Sequence, residues 1–115
     1  MGYVDAFKAI ESLFTEATPI SSPEVINQAG EYILFDGSHP DNASEDTLSF
    51  ILVMSANSYT KENGLAELIE EKRERIAKTS FDISLKKIQR ATLLNTTLFS
   101  VAMHLEIKIN TKVKE

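Results

Sequence analysis

The chain has 115 residues, 43% hydrophobic and 25% charged, with a formal net charge of −5, a composition that fits one globular domain around a single core. It contains no cysteine, which excludes disulfides, thiolate metal sites and cysteine nucleophiles and suits assembly in a cytosolic compartment. The acidic balance argues against a surface built throughout to hold nucleic acid, and no apolar run approaches the ~20 residues of a membrane span.

The opening M-G-Y-V-D-A-F-K carries an acid early and alternates polar with apolar residues, so it does not read as a signal peptide, and Asp5 and Ala6 leave a myristoylation pattern unmet. Tyr3, Phe7, Ile10 and Phe14 fall at helical spacing, widened by Val4, Ala6 and Leu13, with Asp5, Lys8, Glu11 and Ser12 opposite. This predicts an amphipathic helix over 3–16 that stops near Ala17, because Pro19 disfavours helical geometry at Thr18. Ser21 and Glu24 have capping-box spacing around Pro23, which predicts a short helical turn over 23–29 closed by Gly30. Glu31–Asp36 (E-Y-I-L-F-D) has the aromatic and β-branched look of a strand. The polar run 37–46 reads as a long, flexible loop.

Leu48, Phe50, Leu52 and Met54 alternate with Ser49, Ile51, Val53 and Ser55, which predicts a central strand over 47–55 covered on two faces. After the polar segment 56–62, Asn63 is placed to cap a helix over 64–78 with core stripe Leu65, Leu68, Ile69 and Ile76. The i,i+4 pairs Glu71–Arg75 and Glu74–Lys78 mark its solvent face. Phe81, Ile83 and Leu85 open a strand over 82–93, and the turn-like Asn95-Thr96-Thr97 leads it into a hairpin with 98–110. In that last strand Phe99, Val101, Met103, Leu105, Ile107 and Ile109 are all apolar at period two. Burying six such side chains yields about 9–18 kcal/mol gross, enough to make this segment the one around which the other elements are arranged. The expected architecture is α+β: a mixed four-stranded sheet packed against two main helices, with a crossover-length connection from strand 47–55 through the second helix to strand 82–93.

No chemistry-bearing constellation stands out. Asp36, His39 and Asp41 share one polar run but read as solvated turn residues, since no second histidine lies at ligand spacing. His104 and Glu106 share a strand face and form either a pH-sensitive pair or a polar patch on the sheet. The glycines stand alone and no nucleophile elbow or S-x-x-K occurs. These readings predict no catalytic residues, no cofactor and no metal. Lys72, Arg73, Arg75, Lys78, Lys86, Lys87 and Arg90 gather in one third of the chain, but Glu67, Glu70, Glu71 and Glu74 interleave with them on the helix, so direct nucleic-acid binding is not expected. A solvated or subunit-contacting face is the reading favoured for them.

The succession of an N-terminal amphipathic helix, the strand T-L-S-F-I-L-V-M-S-A-N from Thr47, the polar break 58–64, the helix L-A-E-L-I-E-E-K-R-E-R-I from Leu65 and a closing alternating strand resembles the tail-terminator-like proteins of tailed phages. These include the Mu-like prophage group and the lambda minor tail protein U group. The resemblance implies an α+β subunit without catalytic residues that assembles in the bacterial cytoplasm into a ring of copies of itself, hexameric in expectation. Such a ring caps the tail tube in the virion and joins it to head-completion proteins. It further implies that the charged segments 56–63 and 37–46 sit at ring interfaces or face the tube, with Tyr59, Lys61, Glu62, Asp41 and Glu45 as the expected subunit-interface residues. The competing reading is a small bacterial adaptor or secretion-type chaperone that binds a partner protein along a sheet edge.

Overall fold

A computed structural model describes residues 2–111. Its elements are α1 (Tyr3–Leu13), β1 (Thr18–Pro19), a 3-10 turn (Pro23–Val25), β2 (Gly30–Asn42), β3 (Glu45–Ala56), α2 (Leu65–Lys78), β4 (Ile83–Arg90) and β5 (Phe99–Asn110). The strands form one five-stranded mixed sheet in the order β1-β2-β3-β5-β4. The α+β class and both main helices agree with the sequence reading, but the four-stranded sheet is corrected to five. The additional strand is Thr18–Pro19, which pairs parallel with Tyr32–Ile33. A two-residue strand containing proline leaves no hydrophobic period to read, and it is tolerated at an edge, where the missing N–H costs little.

The remaining pairs, β2 with β3, β3 with β5 and β5 with β4, are all antiparallel. β3 and β4 therefore run in the same direction with β5 between them, so the crossover through α2 skips one strand. β5 occupies the interior of the sheet and buries Val101, Met103, Leu105, Ile107 and Ile109 against the helical side. Leu48, Phe50, Leu52 and Met54 of β3 join that layer, together with Ala6, Ile10 and Phe14 of α1 and Leu65 of α2. Rows of period two on neighbouring strands meet a helical stripe of period 3.6, which is how an α/β layer closes one core.

Several elements depart from expectation for identifiable reasons. α1 ends at Leu13, because Phe14 leaves helical geometry (φ −119°, ψ 63°) and inserts into the core at 1% exposure. Its buried stripe is Ala6, Ala9, Ile10 and Phe14, whereas Tyr3 and Val4 lie exposed. The turn after β1 is capped by Ser22, whose Oγ accepts from the Glu24 N–H at 3.3 Å, so the Ser21 capping box does not form and only three residues coil. α2 is preceded by Gly64, not capped by Asn63, which takes φ +63° in the turn where the Gly64 N–H donates to Lys61 O at 2.8 Å.

The largest correction concerns 37–46. It is no loop: β2 and β3 are a continuous hairpin turned over Ala43-Ser44, where Asn42 Oδ1 accepts from the Ser44 N–H at 2.9 Å. Both faces of this arm carry polar residues, so no alternation announces the strand; backbone pairing to β3 supplies the order. The arm lengthens the molecule to principal extents of 52 × 29 × 20 Å.

Candidate functional site: an open sheet with two free edges

The helices cover one face of the sheet; the other face is built from the alternate residues of the same strands. Near the β3–α2 end it is closed. Val53, Ser55, Ser100 and Ala102 are buried there, and Ser55 and Ser100, opposite each other in register, share a hydrogen bond of 2.9 Å. β1 and β2 run parallel, so residues 20–29 must cross a face of the sheet between them. Ile26 in that crossing is fully buried, and Tyr32, which shares the face of Val53, donates its hydroxyl to Gln28 O at 2.8 Å, which places the crossing on the face away from the helices. Asn95 Nδ2 donates to Glu24 O at 2.7 Å and ties the β4–β5 connection to the same cover.

Toward the arm this face opens into a trough of about 320 Å³ lined by Asp36, Ser49, Lys86, Lys87, His104 and Glu106. His104 and Glu106 do share it, as their spacing predicts, but they do not pair with each other. The His104 imidazole lies 3.3 Å from the Gln89 amide, and Glu106 approaches Lys86 at 3.9 Å as a loose ion pair, so each faces a partner on β4. Nucleophile, base and orienting acid do not converge in it, and no group of His, Asp and Glu able to hold a metal exists among the described residues.

The arm is held from both faces. On the helical side the Tyr3 hydroxyl donates to Asp46 at 2.5 Å and lies 2.9 Å from Ser38 Oγ; the bond to Asp46 holds the phenol above its usual range. On the open side Thr47 Oγ1 donates to Asp41 at 2.5 Å, which lowers that carboxyl below the usual range, with His39 Nε2 at 3.2 Å adding to the effect. Asp41 and His39 are thus strand residues engaged locally, and Asp36 stands apart from them in the trough.

The residues expected at subunit interfaces are all exposed, and the fold separates them into two groups. Asp41 and Glu45 lie at the arm tip, where Asn42 Nδ2 donates to Glu45 at 2.9 Å. Tyr59, Lys61 and Glu62 lie in the β3–α2 connection at the far end of β3, roughly 35 Å away along an eleven-step strand. The Tyr59 ring packs on Phe99 with centroids 4.4 Å apart, beside an apolar notch of about 240 Å³ formed with Leu65, Ile69 and Val101.

The basic stretch of α2 is only partly a solvent face. Lys72 is 0% exposed, and its Nζ lies 2.6 Å from Glu31 of β2 and 3.0 Å from Glu71. Arg75 bonds to Leu13 O, to Glu71 and, through two nitrogens, to Glu16 beyond the end of α1. This bidentate contact lowers the Glu16 carboxyl to about 2 and raises the guanidinium further above its already high range. The signal for Lys72 is its spacing: it lies seven residues after Leu65 and four after Leu68, on the core stripe. The partner, Glu31, projects from β2 on the helical face, opposite Met54.

The chain matches no protein-family model, and no curated protein matches it.

Proposed function

We propose that this chain is a structural subunit of a phage or prophage tail, a tail-terminator-like protein whose copies close into a ring that caps the tail tube and joins it to the head. The observation that carries this reading is the form of the sheet. Among the described residues it ends on both sides in strands with no further neighbour, and β2–β3 extends past the helical layer as an ordered arm. An open edge is a template for another chain, and an open face without a converging acid, base and nucleophile suits a building block. The order of elements that resembles the tail-terminator-like group supports the same reading.

In such a ring the lateral edges make the contacts between copies. The two ends of the strands, with Tyr59, Lys61 and Glu62 at one and Asp41 and Glu45 at the other, then meet neighbouring copies at the rims, the tube and the head-completion proteins. Size-exclusion chromatography with light scattering, followed by negative-stain imaging of the purified chain, tests this. Rings of one stoichiometry are expected; a monomer at all concentrations refutes the reading. The reciprocal changes Lys61→Glu and Glu62→Lys are expected to alter the assembly while the circular dichroism of the subunit stays unchanged.

A further inference from the structure

We propose that β4 of one copy pairs antiparallel with residues 34–40 of β2 in the next, in a single register that sets Phe35 opposite Ile88; this rests on the ring reading above. Four independent features of the fold converge on it.

Strand direction comes first. β2 and β5 run one way and β3 and β4 the other, so placing β4 beside β2 of a second copy continues the antiparallel alternation. Length agrees as well: β1 covers the outer edge of β2 as far as Ile33, so the next outward-facing backbone groups are those of Phe35, and residues 83–89 of β4 match 34–40 one for one.

Backbone direction comes second. Ile33 O accepts from the Ile20 N–H, outside the β2–β3 ladder. The N–H and C=O of Phe35, two residues on, point the same outward way. In the other edge strand the Ala91 N–H donates to Ser100 O of β5, so Gln89 also faces β5 and Ile88 faces out. Phe35 and Ile88 also carry their side chains on the helical face, opposite Phe50 and Met103 respectively. They can therefore exchange two backbone hydrogen bonds while their side chains join one apolar row. Phe35 is 42% exposed at present, a large ring standing at the rim of the core.

The bulges come third. β2 carries one extra residue between Phe35 and Ser38, and β4 one between Leu85 and Lys87. With Phe35 opposite Ile88, the two irregularities fall at the same height. Beyond them Ser38 meets Leu85 and Pro40 meets Ile83, again with helical face on helical face. A shift by two residues keeps parity on one side of the bulge but sets a bulge against regular strand.

Charge is the fourth feature. Residues 83–90 hold Lys86, Lys87 and Arg90 with no acid, while 34–42 hold Asp36 and Asp41 with no lysine or arginine. The register sets Asp36 opposite Lys87 on the open face, both exposed, and opposite charges at such cross-strand positions favour the pair. The same charges disfavour β2 against β2 and β4 against β4, so the contact is heterologous and propagates around a ring.

The test uses the absence of native cysteine. In this register Leu34 and Gln89 are a non-hydrogen-bonded pair with Cα atoms about 4.5 Å apart, within reach of a disulfide. Within one copy β2 and β4 are three strand spacings apart, about 14 Å, too far to bridge. The Leu34→Cys/Gln89→Cys chain is therefore expected to give, on mild oxidation, a ladder of covalent oligomers on a denaturing gel, and Leu34→Cys/Ser84→Cys to give none. In parallel, Asp36→Lys alone and Lys87→Glu alone are each expected to weaken assembly about tenfold, and an equimolar mixture of the two to restore it, because every contact in the mixed ring pairs opposite charges. A wild-type multimer that yields no ladder, or that ignores both charge changes, overturns this pairing and leaves the ring reading standing. A wild-type chain that stays monomeric overturns both.

Discussion

Replacing Lys72 with methionine should be among the most damaging single changes to the subunit, although it exchanges a charged side chain for an apolar one in an apolar layer. Methionine fills much of the lysine stem, so little volume is lost. What is lost is the cation 2.6 Å from Glu31, whose side chain is 14% exposed. Glu71 keeps Arg75 as partner, so the deficit falls on Glu31. Breaking a buried pair on one side costs about 3–5 kcal/mol; the residual access of water to Glu31 favours the lower end, about 3 kcal/mol. For a domain of this size that corresponds to a fall in Tm of roughly 12 °C. Urea denaturation followed by circular dichroism measures it through the shift in midpoint at constant slope. Lys72→Met/Glu31→Gln removes both charges and is expected to recover to within about 1 kcal/mol of the native chain. A single variant costing less than about 1 kcal/mol, or a double variant worse than the single, refutes the reasoning.

Three further outcomes follow from the same geometry. Because the Arg75 contact holds the Glu16 carboxyl at about 2, below its unfolded value near 4.5, its contribution is present above pH 4.5 and is lost as pH falls toward 2; with Glu16 43% exposed, solvent screening reduces it to about 1 kcal/mol, and Glu16→Gln should flatten the acid limb of the stability curve by that amount. Gly64→Ala should cost about 1–3 kcal/mol by overpacking, since a Cβ there would sit 2.7 Å from Lys61 O and 2.9 Å from Ser58 O; an unchanged urea midpoint would contradict the tight turn before α2. Tyr3→Phe removes the bond to Asp46 at a cost of about 1 kcal/mol, so amides of residues 37–46 should exchange with deuterium roughly fivefold faster while those of β5 hold their rates.

The parts of the fold legible in the sequence are those in which one side of an element faces a core. β5 was readable because every odd residue from Phe99 to Ile109 is apolar and nearly all are buried. α2 was readable because Leu65, Leu68, Ile69 and Ile76 recur at helical spacing. Where tertiary partners decide, the pattern is silent or misleading. Residues 37–42 look like a loop because neither of their faces enters the core, yet pairing with β3 and the bonds from Tyr3 and Thr47 make them a strand. Lys72 looked solvated because its neighbours are charged, and its burial depends on Glu31, forty-one positions earlier, arriving on the same face. β1 exists only because the edge of β2 is there to receive it. The trough residues His104 and Glu106 were placed on one face by spacing alone, but their partners on β4 follow from the sheet order, which one chain's periodicity does not encode.

Native mass spectrometry of the unaltered chain across micromolar concentrations bears most directly on whether it is a ring-forming building block. A single closed species, six chains in expectation, with no open series of intermediates, is the result that fits. Monomer throughout, with mass added only when an unrelated peptide docks on the sheet edge, would contradict it and favour a peptide-binding adaptor instead.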